Sequence, residues 1–192
     1  TDGVRSAFAP GGERILLHVS NFRPVKRVDD VVRIFDLVRQ QIPCKLLLVG
    51  DGPERGRIEN LCRELKVCNH THFLGKLKNV EQVYSVADLF LLPSETESFG
   101  LSALEALTGG VPVISSDTGG IPEVNVHGVT GYLSPVGDVQ GMADHAISLL
   151  KDPEKMDAFR INAMAQADRF SKSAIIPQYE ALYRKVIEKV KS

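Results

Sequence analysis

The sequence lacks an excess of charge of either sign. Its 23 lysines and arginines stand against 24 aspartates and glutamates, leaving −1 at pH 7 over 192 residues. Such a chain has no global field to attract nucleic acid or an anionic membrane, so any anion site must be local. Long apolar runs are also missing, and nothing approaches the roughly 20 residues of a membrane span. The three cysteines, Cys44, Cys62 and Cys68, form no CxxC pair. They read as buried or half-buried thiols in a reducing cytosol. Neither a methionine nor a signal peptide opens the chain. TDGVRSAFAP reads as an interior start, so a single domain, 1–192, cut from a longer protein is expected. The composition, 43% hydrophobic and 24% charged, is ordinary for a globular domain with a real core.

What is present is alternation. Short apolar runs predict strands at 14–20, 44–50, 71–75, 88–93, 111–116 and 131–135. Between and after them, helical spacing covers 28–42, 53–65, 80–87, 99–110, 138–150, 153–168 and 174–190. Strand and helix taking turns in this way predict an α/β fold: a Rossmann-like parallel sheet of about six strands, with helices on both faces. In such open sheets ligands bind beyond the carboxyl ends of the strands. The loops that matter are therefore 20–27, 50–53, 75–79, 93–99 and 115–122.

VGDGPERG, after the second strand, invites a dinucleotide-binding reading. Its glycines, Gly50, Gly52 and Gly56, give GxGxxxG where the fingerprint is GxGxxG. The motif does not follow the first strand, and the next strand, ending FLGK, brings no acid for a ribose. The bland alternative is a tight turn, though a closely approaching ligand would also need Gly52 small.

SETESFGLSALEA carries more. Glu97 and Glu105 flank the Phe99-Gly100 junction where a helix starts. The first turn offers free N–H groups, those of Gly100, Leu101 and Ser102, which with the helix dipole suit an anion. Helical side chains lean toward the N-terminus, so Glu105 leans toward that anion. Carboxylates only accept hydrogen bonds, as suits hydroxyls on either side of a phosphate. A nucleotide sugar has that form. Acids near a helix start are also favoured by the dipole alone. A second loop, SNFRPVKRVDD, tips the balance. Arg23, Lys26 and Arg27 gather at a helix start, where cations oppose the dipole unless an anion shares the site. Cations at a diphosphate would stabilise the leaving group as a glycosidic bond breaks. No metal-ligand cluster stands out. His18 reads as core, His70 and His72 as no metal pair, His127 and Gly119-Gly120 as turn residues, and Phe99 as packing.

With these residues in view, the chain resembles the C-terminal, donor-binding domain of a retaining glycosyltransferase of family 4, one half of a GT-B fold. The resemblance runs from about Ile15 to the end. It is carried by E-x7-E within ADLFLLPSETESFGLSALEAL, and by VGDGPER, FLGKL, GGVPVISSDTGGIPEV and HGVTGYL in family order. SNFRPVKRVDDVV and LLLVGDGPE resemble most closely the members that join N-acetylglucosamine to L-malate. The resemblance implies a cytoplasmic enzyme with UDP or UDP-N-acetylglucosamine as ligand and no required cofactor. Glu97 would accept from sugar hydroxyls, and the N–H groups of Phe99, Gly100 and Leu101 would hold sugar and phosphate. Glu105 would bind the ribose, Lys26 would neutralise the diphosphate, and Gly75, Lys76 and Leu77 would meet the uracil edge. The family places an arginine where this chain has Asn21, so Arg23 is expected to act from a different place. The acceptor would enter through an N-terminal domain toward which the segment 174–190 packs. A homo-oligomer of the full enzyme is compatible with this. The rival readings are another hexose or GDP-sugar in the same family, a non-catalytic nucleotide-binding module, and a dehydrogenase.

Overall fold

The strands are nearly all apolar because both faces of the sheet are covered. A computed structural model describes residues 2–173, 175–178, 180 and 181. Six strands form one sheet: β1 (Arg14–Val19), β2 (Cys44–Val49), β3 (Thr71–Gly75), β4 (Leu89–Leu92), β5 (Val113–Ser116) and β6 (Gly131–Ser134). Every pairing is parallel, in the order β3-β2-β1-β4-β5-β6. The helices are α1 (Asp2–Phe8), α2 (Val28–Arg39), α3 (Arg55–Glu64), α4 (Glu81–Tyr84), α5 (Leu101–Thr108), α6 (Ile121–Val124), α7 (Val139–Leu150) and α8 (Pro153–Asp168).

Period-2 alternation sorts each strand between two cores. Leu16, Leu46, Leu48, Leu89, Leu91 and Ile114 face one core, against Val31, Ile34 and Phe35 of α2, Ile58 of α3 and Ala143 of α7. Ile15, Leu17, Leu47, Val49, Phe90, Leu92 and Val113 face the other, against Ala103 and Ala106 of α5 and Ile121 of α6. Helix α8 serves both: Met156 and Phe159 join the first core, Ala163 and Ala167 the second. It therefore has no single apolar stripe.

The expected α/β sheet stands, with narrower elements. Pro53 precedes α3 and lies outside it, and α2 ends at Arg39. The segment 174–190 lies for the most part outside the described residues. Cys44 and Cys62 are buried, but Cys68 is exposed, against the expectation for all three. Burial pushes the Cys44 thiol up to about 12 and that of Cys62 up to about 11.

Helix α1 is absent from the sequence-based reading, because tertiary contacts hold it. Val4 and Phe8 pack on the second core. Arg5 donates to the Val86 carbonyl at 2.7 Å and to Asp88 Oδ2 at 2.9 Å. Asp88, 2% exposed, stands just before β4 and also receives Arg14 at 3.2 Å, Arg160 at 3.1 Å and the Ile15 N–H at 2.8 Å. One carboxylate thus ties α1, β1, β4 and α8 at the amino edge of the sheet. Removing it leaves a buried N–H unpaired and three cations crowded. Asp88→Ala should cost about 3 kcal/mol of stability, read as a lowered urea midpoint with the slope unchanged.

Candidate functional site at the carboxyl edge of the sheet

The strand order reverses between β1 and β4, so the loops after these neighbours leave toward opposite faces and open a crevice. Both expected charges stand there. After β1, the chain turns through Phe22 (φ 47), a single 3-10 turn at Pro24–Lys26, and Arg27 (φ 48). Two successive excursions into the left-handed region by bulky residues are costly, and they persist only where the surroundings hold them. Phe22, fully buried, anchors the loop. Lys26 Nζ then meets Glu97 Oε1 at 2.5 Å, across from β4. Ser94 Oγ donates to the same oxygen at 2.9 Å.

The loop that carries Glu97 is clamped on both sides. Glu95 N–H donates to the Val25 carbonyl at 2.8 Å, and Gly120 N–H to the Glu97 carbonyl at 3.0 Å. A Cβ on Gly119 would lie 1.8 Å from that carbonyl oxygen, and one on Gly120 would lie 2.3 Å from that of Ser98. Gly119 and Gly120 therefore do more than turn the chain: their bareness lets the Glu97 loop sit down.

Beneath the pair, His18 is fully buried in β1. The Leu91 carbonyl, at 2.8 Å, can only accept, so Nδ1 carries the proton. Nε2 accepts from Ser20 Oγ at 2.7 Å, and that hydroxyl accepts the Phe22 N–H at 3.2 Å. The core role expected for His18 holds, and it also braces the loop. Lys26 and Glu97 act on it with opposite signs, and burial dominates, pushing its pKa down to about 4.

Of the cations read as misplaced, two are satisfied internally. Arg27 Nε donates to Asp30 Oδ2 at 2.7 Å, and Lys26 has Glu97. Arg23 has no side-chain partner among the described residues. It lines a cleft of about 430 Å³ with Ser20, Asn21, Gly50, Asp51, Gly52, Pro53 and Lys76. A Cβ on Gly52 would lie 1.8 Å from the Asn21 carbonyl oxygen, and one on Gly50 1.7 Å from that of Ser20. The protein's own backbone thus explains these glycines. Gly75 turns the chain at φ 64 and accepts the Gly50 N–H at 2.8 Å. Leu77 is exposed beyond it.

Helix α5 starts after Gly100, at φ 83, with no side-chain cap, which leaves its first-turn N–H groups open to an anion. Leu101 is exposed and Ser102 half-buried, while Phe99 packs edge-on against Phe170, at 5.6 Å between ring centroids. Glu105 lies in a crevice of about 300 Å³ between α4 and α5, with Val80, Glu81, Tyr84, Thr108 and Gly109. No hydrogen bond joins it to Lys26 or Glu97 among the described residues. The sequence-based reading missed Ser94, which sits inside its own motif, and Tyr84, which looks like one more apolar helix position.

Residues 4–166 match the profile of the family described as glycosyl transferases group 1. The chain belongs to that family. It is 49% identical over 176 residues to N-acetyl-alpha-D-glucosaminyl L-malate synthase of Bacillus anthracis, covering 91% of this chain and 46% of that one. Sucrose-phosphate synthase from Thermosynechococcus elongatus superposes with a TM-score of 0.85 at 30% identity, over 98% of this chain and 49% of that one. The Anabaena protein HepE in complex with UDP gives 0.85 at 26% identity, over 96% and 53%. The chain thus spans about half the length of these relatives, and the fold is the Rossmann-like half of their GT-B architecture. No helix among the described residues is long and apolar enough to cross a membrane.

The buried imidazole makes stability depend on acid. His18 takes a proton near 6.5 in the unfolded chain and near 4 in the fold, so between these values the unfolded state binds more protons. Its contribution is fully present above about pH 6.5 and is lost on descent to about pH 4, amounting to about 3 kcal/mol. Urea titrations across that window should show the fall, and His18→Gln should flatten it.

Proposed function

We propose that this chain is the donor-binding domain of a two-domain retaining glycosyltransferase, holding UDP-N-acetylglucosamine across the crevice between β1 and β4. The observation that carries the reading is the Lys26–Glu97 pair at 2.5 Å: a cation and a hydroxyl acceptor, brought from opposite sides of the switch point. The diphosphate would lie on Lys26 and the first-turn amides of α5, with Arg23 adding charge from the neighbouring cleft. Glu97, held by Ser94 and backed by the Gly119-Gly120 turn, would accept from the sugar hydroxyls. Glu105 would accept from the ribose, and the backbone at Gly75, Lys76 and Leu77 would read the base. A phosphate that draws on Lys26 lessens the hold of Lys26 on Glu97, so the sugar hydroxyls inherit a less encumbered acceptor.

In the whole enzyme the acceptor, L-malate on the strength of the 49% identity, would come from an N-terminal domain. The C1–phosphate bond breaks, and the acceptor oxygen bonds to C1 on the same face. Its proton passes to the departing phosphate, which Lys26, Arg23 and the α5 amides stabilise as charge builds. The domain alone would bind donor without turning it over.

Calorimetry and thermal shift with UDP, UDP-N-acetylglucosamine, GDP and NAD test this. A donor at 100 times its Kd should add about 2.7 kcal/mol of stability. Glu105→Ala should weaken UDP and UDP-sugar alike, about tenfold. Glu97→Ala should remove the extra affinity of the sugar and spare UDP. Stabilisation by NAD without UDP, or by none of the four, would overturn the reading.

A further inference from the structure

Tyr84 is 3% exposed, yet its hydroxyl reaches Glu105, one of the two carboxylates, with Glu81, that line the crevice between α4 and α5. The phenol oxygen lies 3.2 Å from Glu105 Oε2 and 3.2 Å from the Ser102 carbonyl oxygen. Both neighbours only accept, so the single phenolic proton is theirs to share, and the charged carboxylate takes the stronger bond. Burial, with Glu105 beside it, pushes the phenol's pKa up from its ordinary value of 10. The group therefore stays a donor throughout the working pH range. Its ring cannot drift: it packs on Phe90 at 5.7 Å between centroids. Behind it, a Cβ on Gly109 would lie 3.2 Å from its own Cβ. The tyrosine is a fixed post, and Glu105 is the side chain tethered to it.

We propose that Tyr84 is a positioning residue for Glu105. It engages Oε2 and leaves Oε1 without a protein partner among the described residues, so that vicinal hydroxyls meet a carboxylate already held in one rotamer. The proposal rests on the reading of Glu105 as the ribose acceptor. A carboxylate on a flexible side chain must otherwise lose its rotamer freedom when ligand binds, and a fixed donor removes that cost beforehand.

The test compares UDP with its 2′,3′-dideoxy analogue by calorimetry, on wild type, Tyr84→Phe, Glu105→Ala and the double variant. Wild type should prefer UDP. Tyr84→Phe should weaken UDP about three- to tenfold while leaving the dideoxy analogue unchanged, so the preference narrows by the same factor. Adding Tyr84→Phe to Glu105→Ala should change nothing further. Equal weakening of both nucleotides, or a preference kept in full by Tyr84→Phe, would overturn the role of Tyr84 alone. A wild type that binds both nucleotides equally well would overturn the ribose assignment of Glu105, and this proposal with it.

Discussion

Two adjacent parallel strands whose connections depart to opposite faces cannot both have their ends covered. This constraint, met between β1 and β4, underlies the rest. The chain after β1 must pass one way and the chain after β4 the other, and the gap left at the carboxyl edge is where Lys26 and Glu97 meet. Their 2.5 Å pair is poorly explained as a source of stability. Taking two charges largely out of water costs about as much as their attraction returns. It is better explained as a device of position. The Ser94 hydroxyl, the His18–Ser20 chain beneath and the turn at Gly119-Gly120 all limit where the two groups can be.

Stability and site occupy opposite ends of the strands. At the amino edge, Asp88 gathers three arginines from α1, β1 and α8 and the Ile15 amide. At the carboxyl edge, backbone strain is concentrated: Phe22 and Arg27 adopt left-handed conformations within six residues of each other, and the N-terminus of α5 has no side-chain cap. A sheet clamped firmly at one edge tolerates strained loops at the other. The glycines obey the same economy of space. Gly50, Gly52, Gly119 and Gly120 are bare because neighbouring backbone carbonyls press on them, and this accounts for the first two glycines of a pattern that resembles a dinucleotide fingerprint, though not for Gly56, where a Cβ would meet nothing.

The fold was readable in the sequence because apolar periodicity acts locally. Runs such as CKLLLVG and DLFLLP are too short for helices and end at glycine or proline, so they read as strands covered on both faces, and the helical spacings between them favour parallel crossovers. Glu97, Lys26 and Arg23 stand out as candidates for a related reason: charged groups in loops at predicted strand ends lack a local partner in the sequence, and Glu105 joins them because helical side chains lean toward the N-terminus. The family resemblance through E-x7-E came from the same stretch.

Tertiary structure alone decided which of those charges meet. Lys26 and Glu97 are 71 residues apart, Tyr84 and Glu105 are 21 apart, and Arg27 finds its partner, Asp30, three residues on, in the first turn of the helix it precedes. Nothing in the spacing separates these cases. Helix α1 and the buried Asp88 were invisible for the same physical reason: the former is held by contacts with distant residues, and the latter looks like any acid before a strand. Local pattern determines the six strands and the helices between them, α1 excepted; partnership is set by the strand order, which only the folded sheet expresses.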